Sequence, residues 1–65
     1  MAIKWKQLMS ILEEDGWYEV RQKGSHKQLK NAKKIGLVTV SYHKLSDDVP
    51  VGTYKNILRQ AQLDI

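Results

Sequence analysis

Trp5, Leu8, Met9 and Leu12 recur at i, i+3, i+4 and i+7, which lines them up along one stripe of an amphipathic helix spanning Lys4 to Asp15. Gly16 follows as a stop, since it takes the left-handed conformation without a side-chain penalty. The same spacing returns in Tyr54, Ile57, Leu58 and Ala61, a second amphipathic helix with Pro50 ahead of it as a start signal. Between the helices the period shortens. Trp17 to Gln22 mixes aromatic and β-branched residues with polar ones and reads as a strand. Lys23-Gly24-Ser25 supplies turn chemistry, and His26 to Asn31 is a second, more polar strand. Ala32 to Gly36 reads as a loop, Leu37 to Val40 as a third strand, and His43 to Pro50 as a polar connection.

The order helix, three strands, helix with short connections predicts an α+β fold. An antiparallel meander would carry both helices on one face. Leu8, Leu12, Val20, Leu29, Val38, Val40, Ile57 and Leu58 are then the expected core. Glu13, Glu14 and Asp15 crowd the negative end of the first helix dipole, and nothing local accounts for them there.

Alternation along the strands assigns sides. With Leu29 facing the helices, His26, Gln28 and Lys30 face away. With Val20 inward, Glu19 and Arg21 face away, and strict alternation carries Trp17 outward as well. A large aromatic directly after a helix-ending Gly more commonly closes a core, and a twisted start to the strand would turn Trp17 in. A two-residue hairpin loop pairs His26 with either Arg21 or Lys23, and both registers leave Arg21 and His26 on one side. The open face therefore collects Arg21, His26, Gln28, Lys30, Thr39 and Ser41.

Composition narrows the setting. Sixty-five residues suit one domain over 1–65, with 42% hydrophobic and 28% charged residues, an ordinary globular balance. No apolar run reaches the roughly 18 residues of a membrane span, and the amino terminus lacks the pattern of a signal peptide. Without cysteine there is no disulfide framework, thiolate nucleophile or cysteine-ligated zinc, and the reducing cytoplasm is the expected location.

Charge adds a direction. Eleven Lys and Arg stand against seven Asp and Glu, a net +4, yet no acid falls between Glu19 and Asp47. Arg21, Lys23, Lys27, Lys30, Lys33, Lys34 and Lys44 all lie in that gap. A block of one sign attracts polyanions, of which nucleic acid is the commonest. A two-metal nuclease needs converging carboxylates, and the basic region offers none beyond Glu19 at its border. Ser25 and His26 are neighbours on a strand and point apart, a poor nucleophile–base pair. There is no glycine-rich phosphate loop or carboxylate pair, so neither metal nor cofactor is expected.

A histidine among cations remains. RNA carries its own nucleophile, the 2′-hydroxyl, so its cleavage needs only proton transfer and charge stabilisation. Histidine titrates near neutrality and serves as general acid or base. Arg21 or Lys23 would hold the phosphate. A surface histidine without a task is the alternative, more so for His43.

Gly16-Trp17, Arg21, Gly24-Ser25-His26, Val38-Thr39-Val40, His43, Pro50, Gly52-Thr53, Ile57 and Ala61 follow one another as in the HicA family of toxin ribonucleases, which the chain resembles from about Trp5 to Leu63. The resemblance implies a fold like a double-stranded-RNA-binding domain and cleavage of messenger RNA; joined to the lack of converging carboxylates, it makes the expected activity that of a metal-independent endoribonuclease. It also implies His26 as catalytic residue and a HicB-type antitoxin that covers the active face. Two departures stand out: Ser41-Tyr42 where the family carries Pro before the second histidine, and Gln62 where the helix Ala is followed by Gly. The expected RNA-binding residues are Arg21, Lys23, Gly24, Ser25, Gln28 and Lys30, with Gly24 shaping the turn and Ser25 the weakest of them. The rival reading is a non-catalytic module that recognises RNA shape through the same basic face.

Overall fold

The computed structural model describes residues 3–64. Its elements run β1 (Ile3–Lys4), α1 (Trp5–Glu14), β2 (Trp17–Lys23), β3 (His26–Asn31), β4 (Lys34–Ser41), β5 (Asp48–Val49) and α2 (Val51–Gln60). β2, β3 and β4 form an antiparallel meander in that order, and Leu29, Val38 and Val40 on one of its faces share a core with Leu8 and Leu12 of α1 and Ile57 and Leu58 of α2. The α+β fold and the order helix, sheet, helix are as the sequence predicts. Trp5, Trp17, Val49 and Ala61 complete that core.

Val20 does not belong to it. Glu19 pairs with Leu29 but Arg21 pairs with Gln28, so Val20 is an extra residue in β2. Such a bulge reverses side-chain parity on one side of itself. Counted back from the bulge, Trp17 is inward and buried (2% exposed), whereas Val20 is 46% exposed. Glu19 moves to the helix side, where it meets Lys27 at 3.7 Å, and Tyr18 takes the outward place.

The expected loop from Ala32 to Gly36 is shorter. β4 already begins at Lys34 and passes Gly36 (φ +93°) through an irregular register, with three residues of β4 opposite Lys30. The polar connection before α2 also holds structure, because Ile3 pairs with Val49 and Lys4 with Asp48. Its carbonyls at Asp47 and Leu45 accept from the Trp5 and Lys6 N–H groups (both 3.0 Å), two of the donors that a helix start leaves unpaired.

The acids at the end of α1 gain a partial explanation. Asp15 Oδ2 accepts from Lys34 Nζ (2.7 Å) and from Trp17 Nε1 (3.0 Å), fastening the helix end to β4 and β2. Chiefly because of the Lys34 hydrogen bond, the Asp15 carboxyl titrates below its usual range. Asn31, buried at 8% exposure, donates to the Asp15 carbonyl (2.8 Å) and accepts from the Lys33 N–H (2.8 Å). A side chain at Gly16 (φ +100°) would press against that amide, its Cβ 3.3 Å from Asn31 Nδ2.

Candidate nucleic-acid interface

The β2–β3 hairpin sets the site. Lys23 pairs with His26, leaving Gly24 and Ser25 as a two-residue loop. A positive φ at the first loop residue alone (Gly24, +61°) matches a type II′ turn, whose twist suits antiparallel strands. Gly24 has open space where a Cβ would stand, so its backbone angle is the requirement rather than clearance. An even loop keeps cross-strand partners on one face. Lys23, His26 and Ser41 form one row across the sheet and Arg21, Gln28 and Thr39 the next, with Tyr18 opposite Lys30 beyond them.

The structure brings Arg21, Lys23, His26 and Gln28 together around a shallow hollow of about 310 Å³, with Thr39 at its wall. Lys30 lies on the same face but outside this hollow. Gly24 and Ser25 line a different one, of about 320 Å³, with Gln22, Lys27, Tyr42 and His43. Ser25 Oγ lies 3.5 Å from Ser41 Oγ across the hairpin end. His26 also borders a cleft of about 570 Å³ between β4 and the start of α2, and His43 and Thr53 border that cleft too. Residue type and spacing assign no role to His43; its place near His26 comes from β4 ending beside the hairpin turn.

The cations divide by side. Lys27 Nζ donates to the Tyr42 hydroxyl (2.9 Å) below the sheet, and the Tyr42 ring stacks on Trp5 with centroids 5.3 Å apart. The Tyr42 hydrogen bond first, then nearby Glu19, raises the Lys27 ammonium above its usual range against a desolvation cost. Lys34 Nζ donates to Asp15 and to the Ala61 carbonyl (3.0 Å), closing the end of α2. Arg21, Lys23 and Lys30 have no side-chain hydrogen bond or ion pair among the described residues. With Glu19 turned inward, no acid stands among the open-face residues of the three rows. Among the described residues no cluster of three or more His, Asp or Glu is placed to hold a metal ion.

A family model described as the HicA toxin of bacterial toxin–antitoxin matches residues 5–63. The chain belongs to the HicA toxin family. No curated protein matches it. Membership makes the chain a toxin of a toxin–antitoxin system and implies a cognate antitoxin. Among the described residues no helix is long and apolar enough to cross a membrane. Both departures from the HicA pattern have structural accounts. Tyr42, near the place of the usual Pro, stacks on Trp5 and receives Lys27. Gln62 adopts φ +57°, where Gly is the easier residue, and donates from Nε2 to the Ile35 carbonyl (3.0 Å) on the free edge of β4. Gln60 Oε1 accepts the Thr39 N–H (3.0 Å) on that same edge, so two glutamines occupy positions a further strand would take.

Proposed function

We propose that this HicA toxin is an endoribonuclease that binds messenger RNA on the open sheet face and cleaves it with His26 as general acid–base. The observation that carries the reading is the hollow where His26 meets Arg21 and Lys23 on a face without acids. As the base, His26 takes the proton of the 2′-hydroxyl as that oxygen attacks phosphorus. The bond from phosphorus to the 5′-oxygen breaks, leaving a 2′,3′-cyclic phosphate and a 5′-hydroxyl. The leaving oxygen needs a proton, and His43, which borders the shared cleft together with Tyr42, Asp47 and Asp48, is the group assigned to donate it. Lys23 is directly across from His26 and Arg21 lies diagonally from it, within the roughly 7–8 Å that a long side chain spans. Both stabilise the added charge on phosphorus in the transition state. Lys30 and Gln28 extend the contact along β3, and Gly24 holds the turn that presents His26. Ser25, facing the other hollow, has the smallest part. No step draws on a metal or cofactor. The toxin acts in the cytoplasm, and a HicB-type antitoxin neutralises it by covering the His26 face.

The test is His26→Ala assayed for folding, RNA binding and cleavage together. His26 is exposed, so no cavity opens and the variant should fold. Binding should persist through the cations, while the cleavage rate falls by about 10²–10⁴-fold and growth toxicity disappears. A chelator should not change the parent rate, and His43→Ala should lower it less than His26→Ala does. Cleavage at the parent rate by His26→Ala would leave the non-catalytic RNA-binding module as the better reading.

A further inference from the structure

The bulge at Val20 gives the open face two chemically different ends. At the hairpin end stand Lys23, His26 and Ser41. At the opposite end the bulge turns Tyr18 outward, 53% exposed, directly across from Lys30. Val20 (46% exposed) and Leu37 (43% exposed) are further exposed apolar residues of β2 and β4. An exposed ring needs no function in isolation. Here it sits opposite the Lys30 ammonium, which has no hydrogen bond or ion pair among the described residues, on the face whose three cross-strand rows hold no acid.

We infer that Tyr18 is a stacking platform for an unpaired RNA base, with Lys30 taking the phosphate beside it. This rests on the open face being the RNA-binding surface. Base faces stack on aromatic rings irrespective of sequence, and a nearby cation holds the backbone. Lys30 and His26 are four residues apart on β3, about 13 Å at strand rise. The base on Tyr18 is therefore a few nucleotides from the bond that His26 breaks, and the platform anchors the strand rather than taking part in the reaction. The bases of an A-form duplex are stacked inside it and out of reach of a ring on a sheet, so the ligand is single-stranded at this point. Exposed apolar residues can also receive a protein, but with Lys30 opposite Tyr18 and Arg21 further along the same face the charge on this side favours the polyanion. Glu13 and Glu19 border Tyr18 only from a separate hollow.

The experiment compares the full chain with Tyr18→Ala and Tyr18→Phe. Substrates are a single-stranded RNA long enough to cross the face, a short RNA reaching only the His26 row, and a duplex of the long sequence. For the long single strand, Tyr18→Ala should raise KM roughly 5- to 150-fold, the loss expected for one base–aromatic stack, with kcat unchanged. Tyr18→Phe should behave as the parent. The short RNA and the duplex should not distinguish the variants. Binding of a 2′-deoxy oligonucleotide, which has no attacking hydroxyl, reads the platform independently of catalysis and should weaken by the same factor. If the parent binds no single strand at all, the RNA-binding reading fails. If the parent binds but Tyr18→Ala binds equally well, the platform alone is overturned. Equal damage from Tyr18→Phe, or weaker binding of the antitoxin with RNA binding intact, would likewise overturn it.

Discussion

On the helix-covered face of the sheet Lys27 and Lys34 each have an oxygen within 3 Å, whereas Arg21, Lys23 and Lys30 on the open face have none among the described residues. Solvent explains the contrast. An ammonium held between sheet and helices loses water and must be given hydrogen bonds in exchange, while an exposed one keeps its hydration until an anion displaces it. Seven cations in one acid-free stretch of sequence are therefore not one binding surface. Parity divides the five that lie on strands: Lys27 and Lys34 turn to the helix side and take protein partners, while Arg21, Lys23 and Lys30 stay open to solvent.

The two faces should respond to substitution in opposite ways. Leu29→Ala, at a core position 2% exposed in the central strand, should cost about 2–5 kcal/mol and unfold much of so small a domain, as seen by thermal melting. Lys34→Met comes next. It removes the donor to Asp15 and to the Ala61 carbonyl, and should lower the melting temperature with RNA affinity unchanged. The pH profile follows from the same contact. Because the folded Asp15 carboxyl titrates below its ordinary 3.8, its contribution is present above that value and lost as pH falls through the lower folded one. Acid unfolding of the parent should show this loss and Lys34→Met should not. Gln62→Gly should have the smallest effect. It relieves a left-handed backbone but gives up the bond to Ile35, so its melting temperature should stay close to the parent's.

Both helices were legible because a stripe at i, i+3, i+4 and i+7 must face something, and the meander because its connections are short. Arg21 and His26 were placed correctly on one face although Val20 was not in the core. Their positions are counted from the two-residue hairpin, on the near side of the bulge. Trp17, Tyr18 and Glu19 lie beyond it, and no residue type at Val20 announces that the strand holds one residue too many. The Asp15, Asn31 and Lys34 cluster was hidden for another reason. Its members are 16 and 19 residues apart in sequence, and local periodicity carries no information about partners at that distance. The nearness of His43 to His26 was out of reach on the same grounds.

The division of cations between faces is tested most directly by measuring RNA affinity against salt, with thermal melting alongside, for two variants. One replaces Arg21, Lys23 and Lys30 by Ala; the other replaces Lys27 and Lys34 by Met. Each phosphate contact on a single strand contributes a slope of about −0.7 in log affinity against log salt, so the first variant should flatten the parent slope by about 2 and keep its melting temperature. The second should keep the slope and melt earlier. A flattened slope in the second variant, or an unchanged one in the first, would contradict the assignment of the open face to RNA.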